Sequence, residues 1–188
     1  MREETVNTTD RVQAAAVIYR SDVHDRRALA NFAWELAASG YRVGGMIQEA
    51  DYDTQGRRVR IDSVDLASSE RVTINRPTRE QLVGGGCSLD PAALIDSGVP
   101  LRRALIDKPE LVIVEKFGEQ EQSGAGLADD ILAVIAEGLP ILVLVPEVAL
   151  ESWRELTGGI TMELPCDAEA LRRWWHERSA ESASNVTH

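Results

Sequence analysis

The sequence predicts a three-layer α/β domain with a mainly parallel sheet and an antiparallel hairpin at one edge. β-like runs alternate along the chain with segments whose apolar residues recur at helical spacing, as in consecutive βαβ units. The runs at 111–114 and 140–146 are almost wholly apolar, which is typical of parallel strands buried on both faces. The runs at 59–66 and 71–76 are joined by a short connection that favours an antiparallel hairpin.

The first half of the chain is expected to form a strand, a helix and a second strand before the hairpin. The run AAAVIY predicts a strand over 14–19, and apolar residues at helical spacing predict a helix over 25–39 that ends at Gly40. The run YRVGGMIQ predicts a second strand over 41–48. The charged residues 49–58 are expected to form a loop.

The second half continues the alternation. Asp90 followed by Pro91 predicts a helix start, and this helix is expected to pause at 98–100 and resume through Leu105. The remaining predicted elements, mostly bounded by glycine or proline, are strand 111–114, helix 127–137, strand 140–146, helix 149–156, an edge strand at 160–164 and helix 167–178. Residues 1–12 are expected to be a flexible arm, 13–178 a single α/β domain and 179–188 a disordered tail.

Composition excludes several classes of function. A chain of 188 residues with 44% apolar and 27% charged residues is an ordinary soluble domain. The net charge of −11 argues against nucleic-acid binding, because contacts to phosphates need a basic surface. No apolar run approaches the roughly 18 residues that would insert into a membrane. The two cysteines suggest no disulfide, so we expect a cytoplasmic protein.

The most informative segment is the loop that follows the buried run 111–114. Glu115 stands at the carboxyl end of that strand, the edge where open α/β sheets bind ligands. Glu115, Glu119 and Glu121 supply oxygen ligands of the kind that Mg²⁺ prefers, so Glu115 and Glu121 are the candidate catalytic residues if the protein is an enzyme. The candidate ligand-binding residues of this loop are Lys116, Gly118, Glu121, Gly124 and Gly126, whose glycines allow close backbone approach. A solvated turn without a ligand is the alternative.

The loop after the first strand reads RSDVHDRR and contains neither glycine nor lysine. A phosphate loop needs glycines so that its N–H groups converge, and a lysine that reaches the outer phosphates. This segment therefore cannot cradle a triphosphate in that way. Arg20, Ser21 and His24 remain candidates for a side-chain anion site, and a solvated loop is the alternative.

A glycine cluster precedes the predicted helix start at Asp90. Free N–H groups beside a helix N-terminus favour anions and lower the pKa of a nearby thiol. The candidate ligand-binding residues here are Gly85, Gly86, Cys87 and Ser88, with Cys87 also a candidate reactive thiol. Because Asp90 already fills the cap position and no histidine partner is assignable, packing is the alternative role for Cys87.

The tryptophans are expected to be core residues. Trp174 and Trp175 are predicted to dock the last helix on the sheet, and Trp34 and Trp153 to pack in the same way. In an alternative hypothesis the apolar and aromatic last helix forms a homodimer instead. No metal site is indicated by histidine or cysteine spacing, because the three histidines are dispersed and neither HxxxH nor CxxC occurs.

The order of elements resembles the small P-loop nucleoside-triphosphatases. The segment IVEKFGEQE puts Glu115 where that family has its Walker B aspartate and Lys116 where it has the adjacent glutamate, while Gly118 and Glu121 keep their places. The resemblance implies a P-loop-hydrolase-like fold with a degenerate Walker A loop.

A second resemblance covers residues 14–165 and is more specific. The chain is similar to an uncharacterised bacterial family often encoded beside molybdate-uptake genes. The matching positions are Gly44 or Gly45 with Gln48, Gly86-Cys87 with Leu89-Asp90, and Lys116-Phe117-Gly118, Glu121, Gly124 and Gly126, with Glu115 in place of the usual asparagine. This resemblance implies a link to molybdate or another oxyanion, and it adds Gln48 to the candidate ligand-binding residues.

These observations predict a noncatalytic binding or accessory module for a small anionic ligand, an oxyanion such as molybdate or a nucleotide-like molecule. One alternative is a magnesium-dependent nucleoside-triphosphatase. The other is an interaction protein that acts as a dimer.

Overall fold

The structure, a computed structural model, describes residues 13–20, 27–77, 98–115 and 117–185. Its strands are β1 (Ala14–Tyr19), β2 (Val43–Tyr52), β3 (Arg58–Asp65), β4 (Arg71–Asn75), β5 (Leu111–Val114), β6 (Ile141–Pro146) and β7 (Met162–Pro165). Its helices are α1 (Ala28–Ala38), α2 (Val99–Asp107), α3 (Glu119–Gln122), α4 (Ala128–Ala136), α5 (Leu150–Thr157) and α6 (Ala168–Asn185), with a 3₁₀ turn at Glu147–Ala149 before α5.

The strands form one seven-stranded sheet in the order β4-β3-β2-β5-β6-β1-β7. Neighbours from β2 to β7 in that order are parallel, whereas the β2–β3 and β3–β4 pairs are antiparallel. The predicted mainly parallel sheet with an antiparallel hairpin at one edge is therefore confirmed. The predicted edge strand is β7, which pairs with β1 and ends the sheet on the other side.

Two hydrophobic clusters cover the two faces of the sheet and make three layers. On one face, Leu29 and Phe32 of α1 and Trp174 of α6 share a buried cluster with Val17 of β1. On the other face, α2, α4 and α5 contribute buried side chains that include Trp153, which is fully buried against the strands. The core assignments of Trp153, Trp174 and Trp175 agree with the sequence prediction, since all three are buried within one chain.

Trp34 was predicted to be a core residue, and that prediction is wrong. The side chain is 37% exposed. Helix α1 turns Leu29, Phe32 and Leu36 towards the sheet, and Trp34 lies outside that buried stripe.

Strand β2 is longer than the sequence pattern indicated, so the predicted loop over 49–58 is wrong for residues 49–52. These residues are polar and half-buried or exposed, which resembles a loop in sequence. They nevertheless pair with β3 as far as Tyr52, and cross-strand ion pairs accompany this pairing: Arg71 Nη2 lies 2.7 Å from Glu49 Oε2, and Arg60 Nη2 lies 2.8 Å from Asp51 Oδ2.

Two helices also differ from prediction. The four-residue helix α3 was expected to be a turn, because it is too short to show a periodic pattern. Helix α6 continues to Asn185, past the predicted boundary at 178, through a stretch of alanine, glutamate and serine that helices accept. Within the described residues, no helix is both long enough and apolar enough to cross a bilayer.

Candidate functional site

The carboxyl ends of β1 and β6 lie side by side, and the helices that follow these two strands lie on opposite faces of the sheet. The chain after β1 leads to α1 on one face of the sheet, and the chain after β6 leads to α5 on the other face. In open α/β sheets such a switch point opens a crevice between the two strand ends, and ligands bind there.

A charged pair stands at this switch point. Arg20 follows β1, Glu147 follows β6, and Arg20 Nε lies 3.4 Å from Glu147 Oε2. Both side chains are about half exposed, at 49% and 53%. A pair this exposed contributes little to stability, so replacing it with another contact costs little free energy.

A second polar contact lies at the same edge, with β6 between it and β1. The N–H of Glu115 donates to the carbonyl of Met46 at 3.0 Å and continues the β5–β2 ladder for one residue. Its carboxylate then accepts a hydrogen bond from the N–H of Gln48 at 3.1 Å. The structure thus brings together Gln48 and Glu115, which lie 67 positions apart in the sequence.

Glu121 is buried, with 4% of its surface exposed, and its carboxylate is used by the loop itself. One oxygen accepts the N–H of Gly118 at 2.8 Å, and the other accepts the N–H of Leu127 at 3.0 Å. Charge-assisted bonds of this kind are about twice as strong as neutral ones. The carboxylate therefore joins the start of α3 to the start of α4 and fixes the loop between them.

Gly126 is required by that arrangement. Its φ of +59° is left-handed, and a Cβ at this position would lie 2.3 Å from Glu121 Oε1. Gly124 also has a left-handed φ of +74°, but a Cβ there would meet nothing within 4 Å. The space beside Gly126 is thus filled by the carboxylate of the chain itself, whereas the sequence pattern suggested room for a ligand.

Phe117 anchors the other end of the loop, a role that sequence reasoning missed. Its N–H donates to the carbonyl of Leu144 on β6 at 2.9 Å, and its ring meets the ring of Trp153 edge to face at 5.4 Å. Glu147 was also missed. The signals available in the sequence were a single aromatic residue inside a polar loop and a carboxylate directly after the most apolar strand.

Seven of the predicted site residues lie outside the described residues, so the structure does not address them. They are Ser21, His24, Gly85, Gly86, Cys87, Ser88 and Lys116. Among the residues that are described, no group of three or more histidine, cysteine, aspartate or glutamate side chains is arranged to hold a metal ion.

Shifted pKa values are found away from this edge. The hydrogen bond and charge of Arg172 lower the pKa of Glu35 on the outer side of α1. Hydrogen bonds from the backbone and side chain of Arg57 lower the pKa of Asp53 in the β2–β3 turn. Both ion pairs lie at the surface and help to fix the local structure.

The family model described as "Protein of unknown function (DUF2478)" matches residues 14–174. The chain belongs to the DUF2478 family. This DUF2478 chain is also 34% identical, over 171 residues, to the protein named Molybdenum import ATP-binding protein ModC 2 of Bradyrhizobium diazoefficiens. The match spans 89% of the chain but only 18% of the length of that relative.

A solved structure confirms the fold. The crystal structure of THEP1 from the hyperthermophile Aquifex aeolicus matches with a TM-score of 0.52, covering 87% of this chain and 95% of that one. The sequences are 15% identical. This DUF2478 chain therefore has the P-loop-hydrolase-like fold that its sequence predicted, and the match is a statement about fold alone.

Proposed function

We propose that this DUF2478 chain is a noncatalytic module that binds a small oxyanion, or the phosphate of a nucleotide, at the carboxyl edge of its sheet and serves molybdenum import. The observation that carries the proposal is Arg20 at the switch point between β1 and β6, paired with Glu147 at 3.4 Å. An arginine that is half exposed in a strand-end crevice can exchange a carboxylate contact for an oxyanion, which its planar guanidinium binds through paired N–H donors.

The proposed site extends from Arg20 along the strand ends. Gln48 and Glu115 lie on the same edge beyond β6, and Gly118 follows Glu115 on the loop that Glu121 fixes. The sequence candidates outside the described residues would complete the donor set: Ser21 and His24 after β1, Gly85 to Ser88 in the glycine cluster, and Lys116. With a net charge of −11 on the chain, an anion site needs such a local concentration of donors.

The proposed absence of ATP hydrolysis is based on the loop that follows β1. The segment RSDVHDRR supplies neither a converging set of glycine N–H groups nor a lysine. In phosphoryl transfer those groups stabilise the charge that develops on the transferred phosphate, and losing one such donor typically costs about a hundredfold or more in rate. The proposed module therefore binds without hydrolysing.

The link to molybdenum import is supported by the relative named Molybdenum import ATP-binding protein ModC 2. A segment that makes up 18% of that protein is 34% identical to this chain. A domain carried on one polypeptide with other domains meets them at a local concentration in the millimolar range. We expect this chain to act on, or report to, an ATP-binding protein of the same kind.

A thermal-shift and calorimetric titration tests the binding claim, with molybdate, tungstate, sulfate and ATP each added with and without Mg²⁺. A ligand that binds only the native state raises the melting temperature, by an amount that grows with ligand concentration. Arg20→Ala should abolish the shift, whereas Arg173→Ala, which removes the same charge from an exposed site on α6, should leave it intact. If no ligand shifts the melting temperature, or if Arg20→Ala changes nothing, the proposal is wrong.

One observation favours the alternative of a magnesium-dependent nucleoside-triphosphatase. Glu115 follows β5, one strand removed from β1, where its carboxylate is half-buried and held by the N–H of Gln48. A carboxylate at this position can hold Mg²⁺ or polarise water. Release of phosphate from ATP, lost in Glu115→Gln and retained in the exposed α6 variant Glu169→Gln, would establish this function in place of the noncatalytic one.

A further inference from the structure

The described part of the chain contains a cavity of about 290 Å³ at the amino edge of the sheet, opposite the proposed anion site. It lies between the end of α1, the start of β2, the β3–β4 turn and α2. Ligand pockets usually measure about 300–1,000 Å³, so this cavity suits a small molecule of the size of a single heterocycle.

The floor of the cavity is an open edge of β2. Strand β3 pairs with β2 only as far as the Met46–Asp65 pair, so the first residues of β2 have no strand on this side within the described ranges. The carbonyls of Arg42 and Met46 accept hydrogen bonds from the β5 side, and the carbonyl of Gly45 accepts one from Leu66 on the β3 side. Because backbone groups alternate along a strand, the N–H and C=O of Val43 also face the β3 side, where the cavity lies.

An aromatic ring lines the cavity. Tyr41 is 37% exposed, and the ring of Trp175 meets it edge to face at 5.2 Å. The exposed part of the Tyr41 ring is available for stacking. Stacking of a base on an aromatic side chain is typically worth a factor of about ten in affinity.

The charges that line the cavity are already balanced. Arg103 Nη1 donates to the carboxylate of Asp65, and its other terminal nitrogen lies 3.7 Å from Glu70. Arg42 Nη1 donates to the backbone carbonyl of Asp107 at 3.1 Å. Asp107, whose carbonyl accepts that bond, also adds a negative charge to the lining, so the lining carries little net charge and the cavity favours a neutral ligand.

The remaining walls are apolar, formed by alanine, leucine and proline side chains of the same elements: Ala37, Leu66, Ala67, Pro100, Ala104 and Pro109. The cavity therefore fits a ligand that has a flat apolar body and one polar edge. The N–H and C=O of a single residue pair with a ligand that carries an acceptor next to a donor, as cyclic amides and amidines do.

We propose that this cavity binds a neutral, planar nitrogen heterocycle of nucleobase size, which stacks on Tyr41 and pairs its adjacent donor and acceptor with the main chain of Val43. This amino-edge site is distinct from the proposed anion site and does not depend on it. A nucleobase that enters it does so as a free base or nucleoside, since the positive charges of Arg42 and Arg103 are offset by Asp107 and Asp65 and leave no net positive charge for a phosphate.

Isothermal titration calorimetry with adenine and uracil tests this proposal, with adenosine included to show whether a ribose is accepted. At least one base should bind one to one, with a dissociation constant between about 1 μM and 1 mM. The methylated analogues N6,N6,9-trimethyladenine and 1,3-dimethyluracil, which have no N–H donor, should bind at least about fivefold more weakly.

Two variants assign binding to the cavity. Tyr41→Ala removes the stacking surface and should weaken binding about tenfold, with Tyr41→Phe retaining it. Ala67→Leu fills the cavity from an exposed turn position without touching the Tyr41–Trp175 contact, so it should abolish binding in a folded protein. Ala38→Leu is the matched control, because it makes the same substitution at an exposed position of α1 that does not line the cavity. If neither base binds at 1 mM, if the methylated analogues bind equally well, or if Ala67→Leu leaves the affinity unchanged, the proposal is overturned.

Discussion

At the scale of the residue, Glu121 shows how one buried carboxylate fixes a functional loop. It receives the N–H groups of Gly118 and Leu127 on its two oxygens, and Gly126 leaves the space that it occupies. The spacing of these residues in the sequence is thereby explained by backbone geometry. The carboxylate of Glu115, at the carboxyl edge, accepts a hydrogen bond from Gln48 on the neighbouring strand instead.

Substituting Glu121 tests this role. In Glu121→Gln the side-chain oxygen still accepts one N–H, but the amide nitrogen faces the other, and the charge is lost. We expect a loss of about 1–3 kcal/mol in the free energy of unfolding, measured by urea denaturation. Glu119→Gln, an exposed neighbour on the same short helix, should stay within about 0.5 kcal/mol of wild type. Equal stabilities for the two variants would contradict the assignment.

The glycine pair in the same loop gives a second test. Gly126→Ala adds a Cβ that would lie 2.3 Å from Glu121 Oε1 at a left-handed φ, whereas Gly124→Ala meets only the left-handed φ. Backbone strain alone costs about 1–2 kcal/mol, so Gly126→Ala should be the more destabilising change in thermal or urea unfolding. Its excess over Gly124→Ala should shrink in a Glu121→Ala background, and an unchanged excess would show that the carboxylate is not the obstacle.

At the scale of the element, the layer formed by α1 and α6 is joined at its surface by one ion pair. Arg172 Nε and Nη2 donate to the two carboxylate oxygens of Glu35, at 3.0 and 2.7 Å. These bonds lower the pKa of Glu35 in the folded state. The unfolded carboxyl titrates near its ordinary value of about 4.3, so the stabilisation is present above that pH and is lost as the pH falls through the lower folded pKa.

The measurement for this pair is the pKa of Glu35 by carboxyl-carbon NMR. We expect a pKa below the ordinary range in the wild type and a return to that range in Arg172→Ala. Arg173→Ala, one residue further along α6 and paired with Glu169 instead, should leave the pKa of Glu35 unchanged. An ordinary pKa in the wild-type protein would show that the pair does not form in solution.

The sequence predicted elements well where periodicity was strong and poorly where it was short or charged. The predicted bounds agree to within one residue with the observed bounds of the apolar strands β5 and β6 and of helix α4. The end of β2 was missed because charged residues there are held by cross-strand arginines, which no local pattern reveals. Helix α3 was missed because a single turn has no period to detect.

At the scale of the whole molecule, strand order decides which residues can meet. The sequence indicated that strand-end polar groups would gather at the carboxyl edge, but not which ends are adjacent. Only the order of the sheet puts β1 beside β6 and makes Glu147 the partner of Arg20. The contact between Gln48 and Glu115 likewise depends on the pairing of β2 with β5.

The two edges of the sheet then have different chemistry. The carboxyl edge carries a half-exposed ion pair at a switch point, whereas the amino edge carries a mostly apolar cavity whose charged lining residues are Arg42, Arg103 and Asp107. Trp174 and Trp175 of α6 are buried in the core of their own chain, and the homodimer stays an untested prediction.

The most direct test of the central claim is a backbone amide NMR titration of the protein with molybdate and with ATP, while phosphate release is monitored in the same samples. The account predicts shifts confined to the carboxyl edge, at Arg20, Gln48, Glu115 and Glu147, with no phosphate released. Shifts at other surfaces alone, no shifts with any anion, or steady release of phosphate from ATP would contradict it.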